Sequence, residues 1–279
     1  KTIKLIDKKK IEKTSSYFRD YPLIQEIPHY GKISFNNFNI SQYLDYKQCG
    51  RQFYMKYYRS LPITWERERV DANTRTQSSS YRIDPITKGN IIHKFTEYYN
   101  SSLEPLNLLE KLVVSFGLKY DKNVEKELIP YINNYLKYHR EDYDKIYIEK
   151  EFYLKVEEDF VRGKIDRINI KNNHGEIIDF KTNKVDNKDE LIKYYSPQLQ
   201  FYTIAVEEIM GIKVNSASIL FLETGEMVEI DISHGALVQN YKDIVDFIRF
   251  VNNNSSIEQY KKSKICKKYC KYNIICDKN

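Results

Sequence analysis

The sequence predicts an α/β fold in which a mixed central sheet is flanked by helices. Apolar residues follow a helical spacing over about 88–142, form strand-like runs over about 146–182, and then return to a helical spacing. Two further strand patterns and a last amphipathic helix follow. With 279 residues, 41% of them apolar and 14% aromatic, the chain can fill the core of one large domain.

The N-terminal third contains one clear helix between two irregular segments. Residues 1–36 are charged and aromatic with little periodicity, and we expect a linker or an arm there. A helix should begin near Asn39 or Ser41 and continue through Tyr57, because apolar residues recur about every 3.6 positions. The polar segment 67–84 has no apolar pattern and is expected to be a mobile surface loop. We therefore divide the chain into an arm, 1–36, and one domain, 37–279.

The remaining elements follow from periodicity and from capping residues. One helix is especially well marked, with Ser196 as a candidate N-cap, Pro197 at the first helical position and Gly211 after its end. The other expected helices are about 88–101, 105–119, 122–142 and 235–252, and the expected strands are about 146–156, 159–171, 175–182, 214–223 and 226–232.

The charge balance permits a polyanionic partner without requiring one. Lys and Arg number 45 against 39 Asp and Glu, a net charge of +6. Residues 261–271 hold six lysines and no acid, which suits phosphate contacts, although a solvated terminal tail would look the same. No stretch approaches the roughly 18 apolar residues that span a bilayer, and the first residues lack a signal-peptide core. We expect a cytoplasmic protein that binds no membrane.

The candidate chemistry lies on the strand Gly175-Glu-Ile-Ile-Asp179-Phe-Lys181. Successive side chains of a strand face opposite sides, so Asp179 and Lys181 emerge on the same face. Asp166 lies on the preceding strand, and a turn near residues 172–175 would make the two strands an antiparallel hairpin. If the register allows it, both carboxylates reach one cation.

These residue types suit hydrolysis of a phosphodiester bond. The reaction uses a metal that polarises the phosphoryl oxygen and activates water, and a cation near the developing charge. Asp166, Asp179 and Lys181 could do this, although Asp and Lys two positions apart also occur on many solvated strands.

Three further side chains indicate a functional site only through their order along the chain, because each is ordinary when taken alone. His93 lies on an expected helix, where a histidine is more often a surface or core residue than a ligand. Gln198 and Tyr202 share one helix face at a spacing of four, a pattern that ordinary helix packing also produces. Glu151, on the strand before Asp166, is a possible additional acidic residue.

Taken together, the ordered set resembles the RecB-type PD-(D/E)xK nucleases. The set comprises His93, Gly163-Lys-Ile-Asp166, Asp179-Phe-Lys181 and Gln198-x-x-x-Tyr202. The resemblance implies a restriction-endonuclease-like fold and a Mg²⁺- or Mn²⁺-dependent deoxyribonuclease. It also implies that His93, Asp166, Asp179 and the carbonyl of Phe180 bind the metal, that Lys181 positions or activates water, and that Gln198 and Tyr202 complete the site.

The chain has four cysteines, three of them near its C-terminal end. They are Cys49, Cys266, Cys270 and Cys276. Disulfides are not expected in a large chain without a secretion signal, and four thiolates suit either Zn²⁺ or a [4Fe-4S] cluster.

One cysteine before the nuclease motifs and three after them resembles the iron-sulfur branch of the family, which includes AddB subunits and CRISPR-associated exonucleases. The resemblance implies a [4Fe-4S] cluster that joins the two ends of the domain. This chain departs from the usual pattern, because Cys266 and Cys270 are separated by three residues and not by two. Zinc or unligated thiols remain alternatives.

The resulting functional hypothesis is DNA cleavage at single strands or strand ends, with exonuclease action favoured, during DNA end processing and recombinational repair. The chain has no Gly-x-x-x-x-Gly-Lys-Ser/Thr loop, so unwinding would come from an ATP-driven helicase domain or subunit. A first residue other than Met also favours the nuclease module of a larger helicase-nuclease. The alternatives are a stand-alone CRISPR-associated exonuclease, a site-specific restriction endonuclease and a catalytically silent iron-sulfur module that binds DNA.

Overall fold

The computed structural model describes residues 37–60 and 83–263 together with Cys270, Tyr272 and Cys276, and the backbone of residues 17–18 and 23–24. Most of the expected arm, the expected mobile loop up to residue 82, and Cys266 lie outside these described residues. Within the described part of the chain, no helix is both long and apolar enough to cross a membrane.

The secondary structure alternates between helical and strand segments. The strands are β1 (Tyr17–Phe18), β2 (Leu23–Ile24), β3 (Asn37–Asn39), β4 (Lys145–Val156), β5 (Asp159–Lys171), β6 (His174–Lys181), β7 (Lys213–Phe221) and β8 (Glu226–Glu229). The helices are α1 (Ile40–Gln48), α2 (Gly50–Phe53), α3 (Pro85–Tyr98), α4 (Pro105–Ser115), α5 (Lys122–Tyr138), α6 (Lys188–Met210) and α7 (His234–Asn253), with a π-helical turn at Tyr54–Tyr58 and a 3₁₀ turn at Ile257–Gln259.

All eight strands belong to one mixed sheet. Its main path runs β1-β4-β5-β6-β7-β8, with β2 paired to β4 and β3 to β5. The β4-β5-β6 and β7-β8 pairs are antiparallel, whereas β6-β7 and the three N-terminal strand pairings are parallel. The prediction of a mixed α/β fold is therefore confirmed.

Helices cover both faces of the sheet, and each face has its own core. On one face α1, α6 and α7 pack over strand residues such as Ile168, Ile177 and Ile219. On the other face α3, α4 and α5 pack over Ile178 and Phe180. Because neighbouring residues of β6 enter opposite cores, the strand is buried on both sides, as expected for a central strand of a mixed sheet.

Capping side chains explain where several helices begin. Asn39 and Gln42 form a capping box at the start of α1, which satisfies two backbone N–H groups that the helix leaves unpaired. The side chain of Asp84 accepts hydrogen bonds from the first turn of α3, and Pro85 occupies the first position. At the other end of α6, Gly211 adopts a left-handed conformation with φ of 64°.

Two helix predictions were wrong in detail. The helix expected from Ser196 begins at Lys188, is capped by Asn187 and contains Pro197 in its interior. The proline leaves the carbonyl of Lys193 without its usual helical partner, and the carbonyl of Pro197 itself accepts a hydrogen bond from Asn240 of α7, which holds this part of the helix in place. The first helix is interrupted at Cys49, whose extended backbone separates α1 from α2.

Gly163 on β5 lies where α6 comes closest to the sheet. A Cβ atom at this position would lie 2.5 Å from the ring of Phe152 and 2.9 Å from the ring of Tyr202. Both rings are fully buried, so neither can move aside without disturbing the core. The glycine is therefore required by close packing between a strand and a helix.

We expect Gly163→Ala to destabilise the fold by about 1 to 3 kcal/mol, the typical cost of overpacking a core. Thermal unfolding should show a lower Tm. Gly235→Ala is the matched control, because nothing lies within 4 Å of the added Cβ on α7, and its Tm should match or slightly exceed that of wild type. Equal Tm values for the two variants would contradict the packing argument.

Candidate active site

The candidate site lies where β5 and β6 stop pairing. Their antiparallel ladder runs from Lys171 opposite His174 to Arg167 opposite Ile178, so Asp166 and Asp179 are the next residues across from each other. At this point the backbone N–H of Phe180 donates to Oδ2 of Asp166 at 2.7 Å. A side-chain carboxylate thus takes over the hydrogen bond of the ladder, and both acids are brought to the same end of the hairpin.

Three potential ligand groups converge beside this hairpin. Nδ1 of His93, on α3, lies 3.9 Å from Oε1 of Glu149 and 3.9 Å from Oδ2 of Asp166. Ligand atoms of these three residues lie within 4.8 Å of one another, and no other set of His, Cys, Asp or Glu does so among the described residues. An ion such as Mg²⁺ holds its ligands at about 2.1 Å, so two of them lie at most about 4.2 Å apart. The 3.9 Å separations suit shared ligation of one ion and are too long for hydrogen bonds.

Glu149 is the acidic residue that the sequence analysis missed. Its φ of +50° places a non-glycine residue in the left-handed region, and the β4-β5 ladder skips it between Ile148 and Lys150. Such local strain and irregular pairing occur preferentially beside functional sites. Glu151, the residue considered for this place, is exposed and pairs across the ladder with Lys164, outside the ligand set.

A signal for Glu149 exists in the sequence. Val156 and Asp159 pair around a two-residue turn, and every pair along this hairpin keeps the same register. Counting back from the turn therefore places Glu149, and not Glu151, opposite Asp166. The alternation of side chains along a strand cannot choose between the two acids, because Glu149 and Glu151 lie on the same face. The position of the turn is therefore needed to decide which of them faces Asp166.

Lys181 is held at the site by three different side chains. Its Nζ lies 2.6 Å from Oδ2 of Asp179 and donates to Oε1 of Gln198 at 3.3 Å. The ammonium also lies 4.2 Å from the ring centroid of Tyr195, within cation–π range. The Tyr195 hydroxyl donates in turn to Oδ1 of Asn183 at 3.1 Å. Tyr195 is a second contributor to the site that the sequence analysis did not identify.

Gln198 and Tyr202 connect Lys181 to the body of the protein. Nε2 of Gln198 donates to the hydroxyl of Tyr202 at 2.6 Å, as their shared helix face predicts. The Tyr202 hydroxyl is hydrogen-bonded to the backbone of Lys164, and its ring packs edge-on against Phe152. A continuous set of polar contacts therefore runs from Asp179 through Lys181 into helix α6.

Burial and charge shift the ionisation of these groups. Burial lowers the pKa of His93 despite an opposing effect of Glu149, so its imidazole is neutral at neutral pH and can bind a cation. Burial, and then the charge of Asp179, raise the pKa of the Asp166 carboxyl well above its usual range. Burial alone would lower the pKa of Lys181, but the carboxylates of Asp179 and Asp166 outweigh it, so the net pKa is raised and the ammonium persists.

A divalent cation fits this donor set. Oδ2 of Asp179 is buried and, among the described residues, has no aligned hydrogen-bond donor, because the nearby Lys181 ammonium forms an ion pair without hydrogen-bond geometry. Burial first, and then the charge of Asp179, raise the pKa of Asp166 and so disfavour its ionised form, and a bound cation would offset both effects. Carboxylate oxygens with one imidazole nitrogen suit Mg²⁺ or Mn²⁺.

The described cysteines lie at a different corner of the protein. Cys49 separates α1 from α2, and Cys276 is buried against Met55 and Tyr272 with Cys270 packed alongside. The guanidinium of Arg51 donates to the carbonyl of Cys276 at 3.5 Å. Residues from before and after the central sheet therefore meet here.

A family model places the chain among known proteins. The model of the PD-(D/E)XK nuclease superfamily matches residues 37–277. This chain belongs to that superfamily. Nucleases of the superfamily use divalent metals, and among the described residues the group able to hold one is His93, Glu149 and Asp166 on α3, β4 and β5, with Asp179 of β6 outside it. No curated protein sequence matches the chain.

Solved structures resemble this PD-(D/E)XK nuclease only distantly. A candidate exonuclease from Eubacterium rectale has 14% identity and a TM-score of 0.49, and the similarity covers 85% of this chain and 88% of that one. The protein SSO0001 has 16% identity and a TM-score of 0.39, with 88% of each chain covered. Because both scores are below 0.5, neither likeness supports a conclusion about this chain.

Crowding of the buried carboxylates should lower the stability of the metal-free protein and, in return, allow it to bind a cation. A carboxyl whose pKa is raised by folding stabilises the protein at low pH and loses that contribution as the pH rises through the folded-state pKa. At neutral pH without metal, Asp166→Asn should therefore raise the Tm. Its amide oxygen can still accept the Phe180 N–H.

Added Mn²⁺ should make the Tm of wild type higher than that of Asp166→Asn. Only wild type gains free energy from metal binding, about 2.7 kcal/mol at a metal concentration of 100 Kd. Thermal melts in chelator and in Mn²⁺ measure both effects. Asp142→Asn, at an exposed pair with Lys171, is the control and should respond to Mn²⁺ as wild type does. A Tm of Asp166→Asn below that of wild type in chelator would refute the charge-crowding account.

Proposed function

We propose that this chain is a metal-dependent deoxyribonuclease that hydrolyses phosphodiester bonds at the end of the β5-β6 hairpin. The observation that carries this proposal is the convergence of His93, Glu149 and Asp166 on one volume, next to the Asp179-Lys181 pair. Superfamily membership supports the reaction class, and the geometry of the described residues supports this choice of site residues.

The proposed metal ligands are His93, Asp166 and Asp179, with Glu149 added to the set expected from the sequence. The carbonyl of Phe180, between Asp179 and Lys181, is proposed as a backbone ligand. Bound Mg²⁺ or Mn²⁺ would polarise the phosphoryl oxygen and make water a better nucleophile. The imidazole of His93 is neutral, so it can ligate without first losing a proton.

Lys181 is proposed to orient the attacking water and to stabilise negative charge on the phosphoryl oxygens. Its ammonium is retained at neutral pH and is directed by Asp179, Gln198 and Tyr195. Gln198 and Tyr202 then act as positioning residues, since they fix Lys181 through a buried hydrogen-bond chain. A preorganised cation stabilises developing charge without the cost of reorganising it during the reaction.

We further propose exonuclease action on single strands or strand ends, in DNA end processing and recombinational repair alongside an ATP-driven helicase domain or subunit. This rests on the order of the sequence motifs and the absence of a nucleotide-binding loop in the sequence. A stand-alone CRISPR-associated exonuclease is the alternative, and genomic neighbours would distinguish the two.

We also propose that Cys49, Cys266, Cys270 and Cys276 bind a [4Fe-4S] cluster. Support comes from the meeting of the Cys49 region with the C-terminal segment: the N–H of Arg51 donates to the Lys261 carbonyl at 3.3 Å, and Cys276 is buried beside Met55. Cys266, the fourth proposed ligand, lies outside the described residues.

Substitution of the site should separate cleavage from binding. We expect Asp179→Ala and Lys181→Ala each to abolish cleavage of end-labelled DNA in Mg²⁺ or Mn²⁺, because one removes a ligand and the other the cation beside it. DNA binding in chelator should stay near wild type. Lys171→Ala, at an exposed lysine on the same hairpin, is the control and should cleave normally.

Three results would count against parts of this proposal. Equal cleavage by wild type and both variants would refute the enzymatic site. Binding without any metal-dependent cleavage by wild type would favour the silent DNA-binding module. Discrete fragments in place of progressive degradation would favour a site-specific endonuclease.

The cluster proposal predicts bound iron and a visible absorption band after anaerobic purification. Cys49→Ala and Cys276→Ala should each lose most of the iron, because a four-iron cluster needs all its thiolates. Met55→Leu, which alters packing next to Cys276 without removing a thiol, should keep it. A colourless wild-type protein that contains zinc would reject the cluster.

A further inference from the structure

A groove opens directly beside Lys181, on the same side of the sheet as α1 and α6. It has a volume of about 650 Å³ and lies between α1, the loop 182–187 and the first half of α6. Asn183 and Tyr195 line it, and these are the residues that hold each other and the Lys181 ammonium. The groove therefore adjoins the candidate site through the Tyr195 ring.

The lining combines cations, aromatic rings and amides. Three lysines contribute, Lys47 from α1, Lys184 from the loop and Lys193 from α6. Two carboxylates, Asp186 and Glu190, also line the groove, but the Asp186 carboxylate is already paired with Lys184 at 2.5 Å. Lys47 is likewise paired, at 3.3 Å, with Asp243, which does not line the groove, whereas Lys193 is exposed on α6. The lining thus carries three lysines and two acids, a small excess of positive charge.

Tyrosines form the inner part of the same groove. The rings of Tyr194 and Tyr195 are 4.8 Å apart and nearly perpendicular, and both are half-buried. The hydroxyl of Tyr194 is hydrogen-bonded to Asp45, which also accepts from Lys56 at 2.7 Å and Tyr57 at 2.6 Å. The Tyr194–Asp45 bond joins α6 to α1, and the bonds from Lys56 and Tyr57 hold the Asp45 carboxylate in place, so the groove is preformed.

We propose that this groove binds the single-stranded DNA next to the cleaved phosphodiester. Grooves that bind single strands combine cations along the backbone with aromatic rings on which bases stack. A volume near 650 Å³ is of the size that holds a drug-sized ligand, which matches about two nucleotides of one strand. This inference rests on the proposed nuclease function, because it places a strand with one phosphodiester at Lys181.

The strand has a defined path in this arrangement. With one phosphodiester at Lys181, the flanking nucleotide meets Tyr195 and Asn183, and the next phosphates lie between Lys47 and Lys193. The charges act on the phosphates of any sequence, so binding in the groove does not select bases. A duplex end would need to be unpaired before its strand could enter.

The test compares charge changes inside and outside the groove. Fluorescence anisotropy with labelled oligothymidylates in EDTA measures binding without cleavage. Lys193→Glu and Lys47→Gln, on opposite walls, should each weaken binding, by about tenfold for the charge reversal. The slope of log K against log salt should become shallower by about 0.7 for each phosphate that no longer meets a lysine. Lys111→Glu, an exposed lysine on α4 across the sheet, is the matched control and should bind as wild type.

The outcomes separate this inference from the nuclease proposal. Wild-type affinity in both groove variants, or an equal loss of affinity in the Lys111 control, overturns the groove assignment even if wild type cleaves DNA. Weakened binding with a shallower salt slope supports it. If wild type then fails to cleave in Mn²⁺, the nuclease proposal falls while the groove assignment stands. An equally large loss of affinity for blunt duplex DNA overturns the restriction to single strands.

Discussion

Negative charge held in a tight space at the end of one β-hairpin is the constraint on which the rest of this structure depends. The register of β5 and β6 places two carboxylates across from each other, and β4 adds a third through an irregular, strained residue. Buried carboxylates are costly unless a cation or hydrogen bonds balance them. The fold places the neutral imidazole of His93 on one side of this group and the ammonium of Lys181 on the other.

Both helical layers are needed to surround that charge. His93 comes from α3, which packs on one face of the sheet, whereas Gln198 and Tyr202 come from α6 on the other. The site therefore lies where the pairing of the central strands β5 and β6 ends, within reach of both helical layers. Close approach at Gly163 lets Tyr202 sit against β5, where its hydroxyl is bonded to the backbone of Lys164.

Much of the fold could be predicted because its elements carry strong local signals. The three strands over 145–181 were placed within about two residues, since β-rich runs and short turns bound them. The start of α6 could not be placed, because Pro197 is a typical first helical residue, whereas in the structure it lies inside a helix that begins at Lys188 and is capped by Asn187. The break at Cys49 likewise carries no periodic signal, as apolar spacing continues on both sides of it.

Part of the candidate site could likewise be predicted from local sequence patterns, whereas the rest depends on tertiary structure. Asp179 and Lys181 share a strand face by parity alone, and the helix spacing of Gln198 and Tyr202 predicts their contact. The position of Glu149 required a register across two strands. Tyr195 required a helix longer than its proline suggested, because the residue lies before Ser196 and would have been outside the expected helix.

The proline inside α6 has a mechanical consequence. Pro197 has no N–H, so the carbonyl of Lys193 lacks its usual partner in the helix, at the boundary between the groove wall and the Gln198-Tyr202 segment. The segment after the proline is clamped to α7 through Asn240. Bending would be easiest at this joint, but the Tyr194–Asp45 hydrogen bond braces the outer half of α6 against α1, so the Tyr195 ring stays over the reactive ammonium.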